Sequence, residues 1–211
     1  MQKKLFFWDD VSLLDYIIPL LKTDQIIVTS TDTVPGLLAQ VSQKTFDKLN
    51  QIKNRADKPY LFLIKSSQET YRFARMNPKL QVEKLMDACW PGPLTLIFTA
   101  RSDAPPYIKG PQGTVAMRVP DHEGLQKILQ HVDALFSTSA NISGQPVPAA
   151  MNELDAEIVD HVACLIDDAG QKKIPSQPST ILDCTGDTIR VVREGAYPIA
   201  SLEKIYGSQF S

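Results

Sequence analysis

Lys53-Asn54-Arg55-Ala56-Asp57-Lys58-Pro59-Tyr60-Leu61-Phe62-Leu63-Ile64 sets two cations two residues apart, adds a third, and then runs into apolar residues that read as a buried strand. Fixed charge at the mouth of a buried strand is costly unless an anion docks against it. Arg offers a planar fork of donors and Lys a mobile point charge, a combination suited to a polyphosphate or nucleotide. The plainer alternative is a solvated helix end, where the macrodipole favours cations.

Outward from this stretch, strands and helices are interspersed. Upstream, Leu13, Leu14, Ile17, Ile18 and Leu21 recur at helical spacing behind a cap at Asp10. Residues 25–30 and 36–41 read as strands, and Ser42 caps a helix running to about residue 52. Downstream of the strand at 60–65, Ser66 and Glu69 form a capping-box pattern, and Asn77-Pro78 opens a helix expected to reach Cys89. Trp90-Pro91-Gly92-Pro93 is a turn into a strand at 94–99, and residues 100–113 form a Pro/Gly-rich loop. Strands follow at 114–119, 134–139, 162–166, 180–184 and 189–192, with helices at 121–130 and 152–161 and an amphipathic tail at 201–206. Several strands succeed one another without a helix between them. The expected fold is therefore α/β, a twisted mixed parallel and antiparallel sheet with flanking helices. No linker divides residues 1–211, so one domain is expected.

Bulk properties narrow the function. A chain of 211 residues with 43% hydrophobic and 22% charged residues has the composition of an ordinary globular protein. A net charge of −2 argues against coating nucleic acid through overall charge, although a local basic patch stays open. Cys89, Cys164 and Cys184 are odd in number and widely spaced, and read as buried reduced thiols. Asp9-Asp10 ends the N-terminal apolar run too early for a signal peptide, and no stretch approaches the ~20 apolar residues of a membrane span. The expected location is the cytoplasm, with no membrane partner.

Other clusters carry polar chemistry. Thr29-Ser30-Thr31-Asp32-Thr33 stands at a strand exit, where hydroxyls either satisfy a turn or hold a small polar ligand. Ser137-Thr138-Ser139-Ala140-Asn141 offers neutral donors at the end of another strand, suited to a cap or to phosphate oxygens. Arg118 is a cation inside an apolar strand and needs an anionic partner, from the protein or from a ligand. Arg193 follows two valines and precedes Glu194, which offers it a pairing partner. His122, His131 and His161 share no metal-ligand spacing, so no protein-held metal is expected. There is no P-loop, dinucleotide fingerprint or nucleophile elbow.

The series 30–37 (STDTVPGL), 53–59 (KNRADKP), 90–95 (WPGPLT), 114–120 (TVAMRVP), 137–144 (STSANISG), 178–183 (PSTILD) and 193–195 (REG) resembles, in order and over residues 24–198, the motifs of the YrdC/TsaC family of threonylcarbamoyl-adenylate synthases. The resemblance implies a YrdC-like sheet with a concave basic face. It implies a nucleotidyltransferase that makes threonylcarbamoyl-AMP and pyrophosphate from L-threonine, bicarbonate and ATP, with Mg²⁺ bound with ATP. This is the first step of tRNA threonylcarbamoyladenosine (t6A) modification, with the tRNA threonylcarbamoyl transferase machinery as downstream partner. By the same resemblance Lys53 and Arg55 are the catalytic cations. Lys53, Arg55, Arg118, Ser139, Asn141 and Arg193 face ATP, and Thr31, Thr33, Thr114 and Ser179 face threonine. The alternative is a YrdC-like RNA- or nucleotide-binding protein without synthase activity. The chain departs from many members at Ser30, Pro35, Ala56 and Leu63, where they carry proline, an aromatic residue, proline and histidine. The resemblance is to the single-domain form, so the C-terminal domain of longer members is not expected within residues 1–211.

Overall fold

Short runs of branched and aromatic residues pair side by side in preference to coiling into long helices. The computed structural model describes residues 3–54, 59–110, 112–168 and 177–211. Within these, eleven strands form one sheet: β1 (Lys4–Phe7), β2 (Ile27–Thr29), β3 (Gly36–Gln40), β4 (Leu61–Leu63), β5 (Ala74–Arg75), β6 (Leu94–Ala100), β7 (Thr114–Arg118), β8 (Leu135–Ser139), β9 (Cys164–Asp167), β10 (Thr180–Asp183) and β11 (Arg190–Arg193). The order across the sheet is β1-β9-β2-β3-β8-β4-β7-β6-β10-β11, with β5 also on β6. The β1–β9, β9–β2, β4–β7 and β6–β10 pairs are parallel and the remainder antiparallel, so the sheet is mixed as expected. The helices are α1 (Leu13–Lys22), α2 (Gln43–Lys53), α3 (Thr70–Phe73), α4 (Glu83–Cys89), α5 (Glu123–Leu129), α6 (Ala156–His161) and α7 (Ile199–Tyr206).

The two faces of the sheet are covered unequally. On one, Leu37, Phe62, Phe98, Met117 and Phe136 bury against Leu49 and Ile52 of α2, Leu85 of α4, Ile158 of α6 and Leu202 of α7. Phe136 anchors this core, with ring centroids of Phe62 at 5.2 Å, Tyr60 at 5.7 Å and Phe46 at 6.2 Å. On the other, Leu38, Leu63 and Leu135 pack under Leu13, Ile17 and Leu21 of α1 and Leu125, Ile128 and Leu129 of α5. Strand alternation puts Ser137 and Ser139 on the same face as Leu135, and Thr114 and Ala116 on the same face as Arg118. Ser137, Ser139, Thr114, Ala116 and Arg118 lie outside the cluster under α1 and α5, so beyond the two helices this face becomes a more polar floor.

Local sequence signals held where nothing competed for them. Ser42 caps α2 reciprocally: its Oγ accepts from Thr45 N at 3.1 Å, and Thr45 Oγ1 accepts from Ser42 N at 3.2 Å. The Ser66–Glu69 box does not form. Ser66 makes no cap bond, and a 3-10 turn leads into the short α3 while Glu69 accepts from Arg72 at 2.7 Å. The helix expected from Asn77 starts only at Glu83, because Asn77 Oδ1 accepts from Lys79 N at 3.0 Å and closes a local turn. Asp10 accepts from Phe7 N at 2.9 Å, and α1 begins at Leu13. β1 carried no clear signal, because an edge strand with only Phe6 buried lacks a full alternation. Among the described residues no helix is long and apolar enough to cross a membrane.

Candidate functional site

The β3–β8 register sets Gly36 opposite Ser139, and Pro35 O accepts from Ala140 N at 2.8 Å. The entry to β3 and the exit of β8 therefore meet at one end of the sheet. Helix α2 packs back across the opposite face and ends at Asn54, a left-handed residue with φ 46°. Its last side chain, Lys53, is 2% exposed and reaches the β8 exit. The ammonium donates to Ser139 O at 2.7 Å, to Asn141 Oδ1 at 3.0 Å and to Asn141 O. Ser139 Oγ donates to the same Asn141 Oδ1 at 2.5 Å, and Asn141 Nδ2 donates to Gln145 O at 2.6 Å. The cation and the hydroxyl-amide turn, 86 and 88 residues apart in sequence, thus form one cluster. Arg55 and Lys58 lie outside the described residues.

The loop between β2 and β3 closes a second side. Thr31 Oγ1 accepts from Thr33 N at 3.0 Å, donates to Val34 O at 2.7 Å and lies 3.1 Å from Thr33 Oγ1. Asp32 Oδ2 accepts from Arg118 Nη1 at 2.7 Å and from Asp121 N at 3.0 Å, while Arg118 Nη2 lies 3.4 Å from Thr33 Oγ1. The anion required by Arg118 is thus supplied by the protein. Trp8 Nε1 donates to Ser30 Oγ at 2.9 Å, tying the chain just after β1 to the same loop. Thr114 opens β7, partly exposed, on the same face as Arg118.

At the far side of the floor, Thr95 Oγ1 and Ser179 Oγ are 2.8 Å apart, and Arg193 donates to Ser179 O from Nη2 at 2.8 Å and Nε at 3.2 Å. Burial holds the Arg193 pKa below its ordinary value. Gly195 is required here by close approach, because a Cβ would lie 2.2 Å from Pro178 O. An open depression lined by Gln177, Pro178, Glu194, Gly195, Ala196 and Pro198 borders this corner. Between β8 and β10 lie β4, β7 and β6, so the two polar corners stand about 20 Å apart at ordinary strand spacing. A ligand meeting both would span the floor.

Lys53, Ser139 and Asn141 are therefore in direct contact. Thr31, Thr33 and Arg118 form a second group, Ser179 and Arg193 a third, and Thr114 stands apart on the strand floor. Sequence reading passed over Asp32, Thr95 and Trp8. Asp32 stood within the hydroxyl-rich motif, but nothing local linked it to an arginine 86 residues away. His122 Nδ1 accepts from Leu125 N at 3.3 Å and so caps the start of α5. Among the described residues, no group of three or more His, Cys, Asp or Glu side chains is placed to hold a metal ion.

The chain matches the Sua5/YciO/YrdC family, described as telomere recombination, over residues 19–195. It is 30% identical over 190 residues to a threonylcarbamoyl-AMP synthase of Pyrococcus abyssi, covering 89% of this chain and 55% of that one. It therefore spans about half the length of that relative. A threonylcarbamoyl-AMP synthase of Photorhabdus laumondii is 33% identical over 175 residues, covering 81% of this chain and 91% of its own. The crystal structure of P. abyssi Sua5 complexed with L-threonine superposes with a TM-score of 0.86 at 26% identity, covering 100% of this chain and 62% of that one. A match over most of the chain, together with relatives and a structure that share its sheet, carries one conclusion: this chain is a member of the Sua5/YciO/YrdC family.

Proposed function

We propose that the protein is an L-threonylcarbamoyladenylate synthase that serves tRNA t6A modification, and thus a nucleotidyltransferase. The observation that carries this reading is the Lys53 ammonium seated on the Ser139–Asn141 turn at the edge of a polar floor. A cation, a hydroxyl and an amide held at one strand exit suit the phosphates of a nucleotide. The names of the relatives favour this reading over an RNA-binding module.

In the proposed reaction the amine of L-threonine and bicarbonate give a carbamate and water. A carbamate oxygen then attacks the α-phosphorus of ATP, the bond to the β-phosphate bridging oxygen breaks, and pyrophosphate leaves. The nucleophile comes from the substrates, so the protein's task is positioning and charge neutralisation. Lys53, with Arg55, is assigned to the phosphates, and Ser139 and Asn141 to orienting them. Thr31, Thr33, Thr114 and Ser179 are assigned to threonine, and Arg193 to the nucleotide. Magnesium belongs to the substrate in this scheme, arriving on the triphosphate, where it would offset phosphate charge. The test is pyrophosphate release from Mg-ATP with threonine and bicarbonate omitted in turn. Release that requires both is expected, and release indifferent to threonine refutes the assignment.

A further inference from the structure

Asp32 has no part in the chemistry just described, yet the loop after β2 is organised around it. We propose that Asp32 is a positioning residue for the amino-acid substrate: paired with Arg118, it holds loop 30–35 so that the Thr31 and Thr33 hydroxyls are set before substrate arrives. The inference rests on the reading above and assigns Arg118 to holding this loop instead of to the nucleotide.

The Arg118 and Asp32 side chains are 2% and 8% exposed and 2.7 Å apart. A buried ion pair is a poor source of stability, because desolvating both charges cancels much of their attraction. This one is also incompletely satisfied. Asp32 Oδ1 and Arg118 Nε are buried without a hydrogen-bond partner among the described residues. Arg118 ends β7 directly after the apolar run Val115-Ala116-Met117, and an uncharged residue there would avoid this desolvation cost. What the pair does provide is geometry. Through Oδ2, Asp32 joins the loop to both the guanidinium and the backbone of Asp121, at 2.7 and 3.0 Å. Arg118 Nη2 reaches on to Thr33 Oγ1, which lies against Thr31 Oγ1. Two further ties pin the loop from the other side: Trp8 Nε1 to Ser30 Oγ at 2.9 Å, and Ser30 N to Ile166 O at 2.9 Å. Anchors from three separate parts of the chain, Trp8, the Arg118–Asp121 segment and Ile166, thus fix the six-residue loop 30–35.

Asp32→Asn keeps the shape and an acceptor for Arg118 but removes the charge. In pyrophosphate release the KM for threonine is expected to rise about tenfold or more while the KM for ATP stays within about threefold. An unchanged threonine KM overturns the proposal. So does a parallel rise in both KM values that tracks a fall in melting temperature, which is the signature of a merely structural role. Amide hydrogen exchange of loop 30–35 in the unmodified protein keeps the idea testable if the variant does not fold. The Thr33 and Ser30 amides are expected to be protected without threonine, and exchange at unstructured-peptide rates until threonine is added refutes preorganisation. Absence of threonine-dependent release from the unmodified protein sinks the functional reading instead, and the exchange experiment still reports on the loop.

Discussion

Replacing Lys53 by methionine tests the cluster at the β8 exit, because methionine keeps nearly the same length and volume and removes only the ammonium. Among the described residues, three acceptors lose their shared donor: Ser139 O, Asn141 O and Asn141 Oδ1. Asn141 Oδ1 keeps its bond from Ser139 Oγ, so the loss falls mainly on the two carbonyls. At about 1–3 kcal/mol for each charge-assisted bond removed, the expected destabilisation is about 3 kcal/mol. For a chain of this size that lowers the melting temperature by about 6–12 °C. Turnover should fall further than stability explains, by about 10²-fold or more, because the charge assigned above to the phosphates is gone. Both quantities are read from one preparation, by thermal unfolding and by threonine-dependent pyrophosphate release at a temperature where the variant is folded. Lys48→Met is the control: Lys48 bonds Asp24 O at 2.7 Å, away from the cluster, and its loss should leave turnover unchanged. A Lys53→Met protein with turnover within about threefold of the parent, under 1 kcal/mol of barrier, refutes the assignment even if its melting temperature falls as expected.

Gly195→Ala forces a Cβ to 2.2 Å from Pro178 O, so backbone must move; thermal unfolding should show a loss of about 1–3 kcal/mol, and an unchanged melting temperature would show that this corner yields freely. Phe136→Ala removes the ring shared by Tyr60, Phe62 and Phe46 and should cost about 3–5 kcal/mol by denaturant unfolding, with a loss under 1 kcal/mol contradicting a close-packed core. Burial pushes the Cys184 thiol up to about 12 and the Cys164 thiol up to about 11. The folded protein holds these protons more tightly than the unfolded chain, whose thiols ionise near about pH 8.5, so their contribution to stability is complete below that pH and is lost as pH rises towards 12. Native protein at about pH 8 should resist thiol labelling that goes to completion in denaturant, and rapid native labelling of either cysteine would count against this burial.

Much of the sheet was readable from local pattern, because a strand buried on both faces must be apolar throughout. The runs around Phe62, Leu96 and Phe136 had few other ways to bury. The Ser42 cap was readable for the same reason: its partner lies three residues away. Signals failed where a polar group had a second suitor. Asn77 closed its own turn, Glu69 took Arg72, and Asp10 took a backbone amide upstream.

The chain's own order of residues determined that Lys53 would end a helix, that Ser139 and Asn141 would follow a buried strand, and that Arg118 would need an anion. Only the tertiary structure decided who answers whom. Lys53 meets the Asn141 turn because β3 and β8 pair in one register, and Arg118 is met by Asp32 because the loop after β2 folds onto the end of β7. The physical reason is range: propensity, capping and alternation act over a few residues, whereas the partners of a buried charge are chosen by packing across some 86 residues of chain.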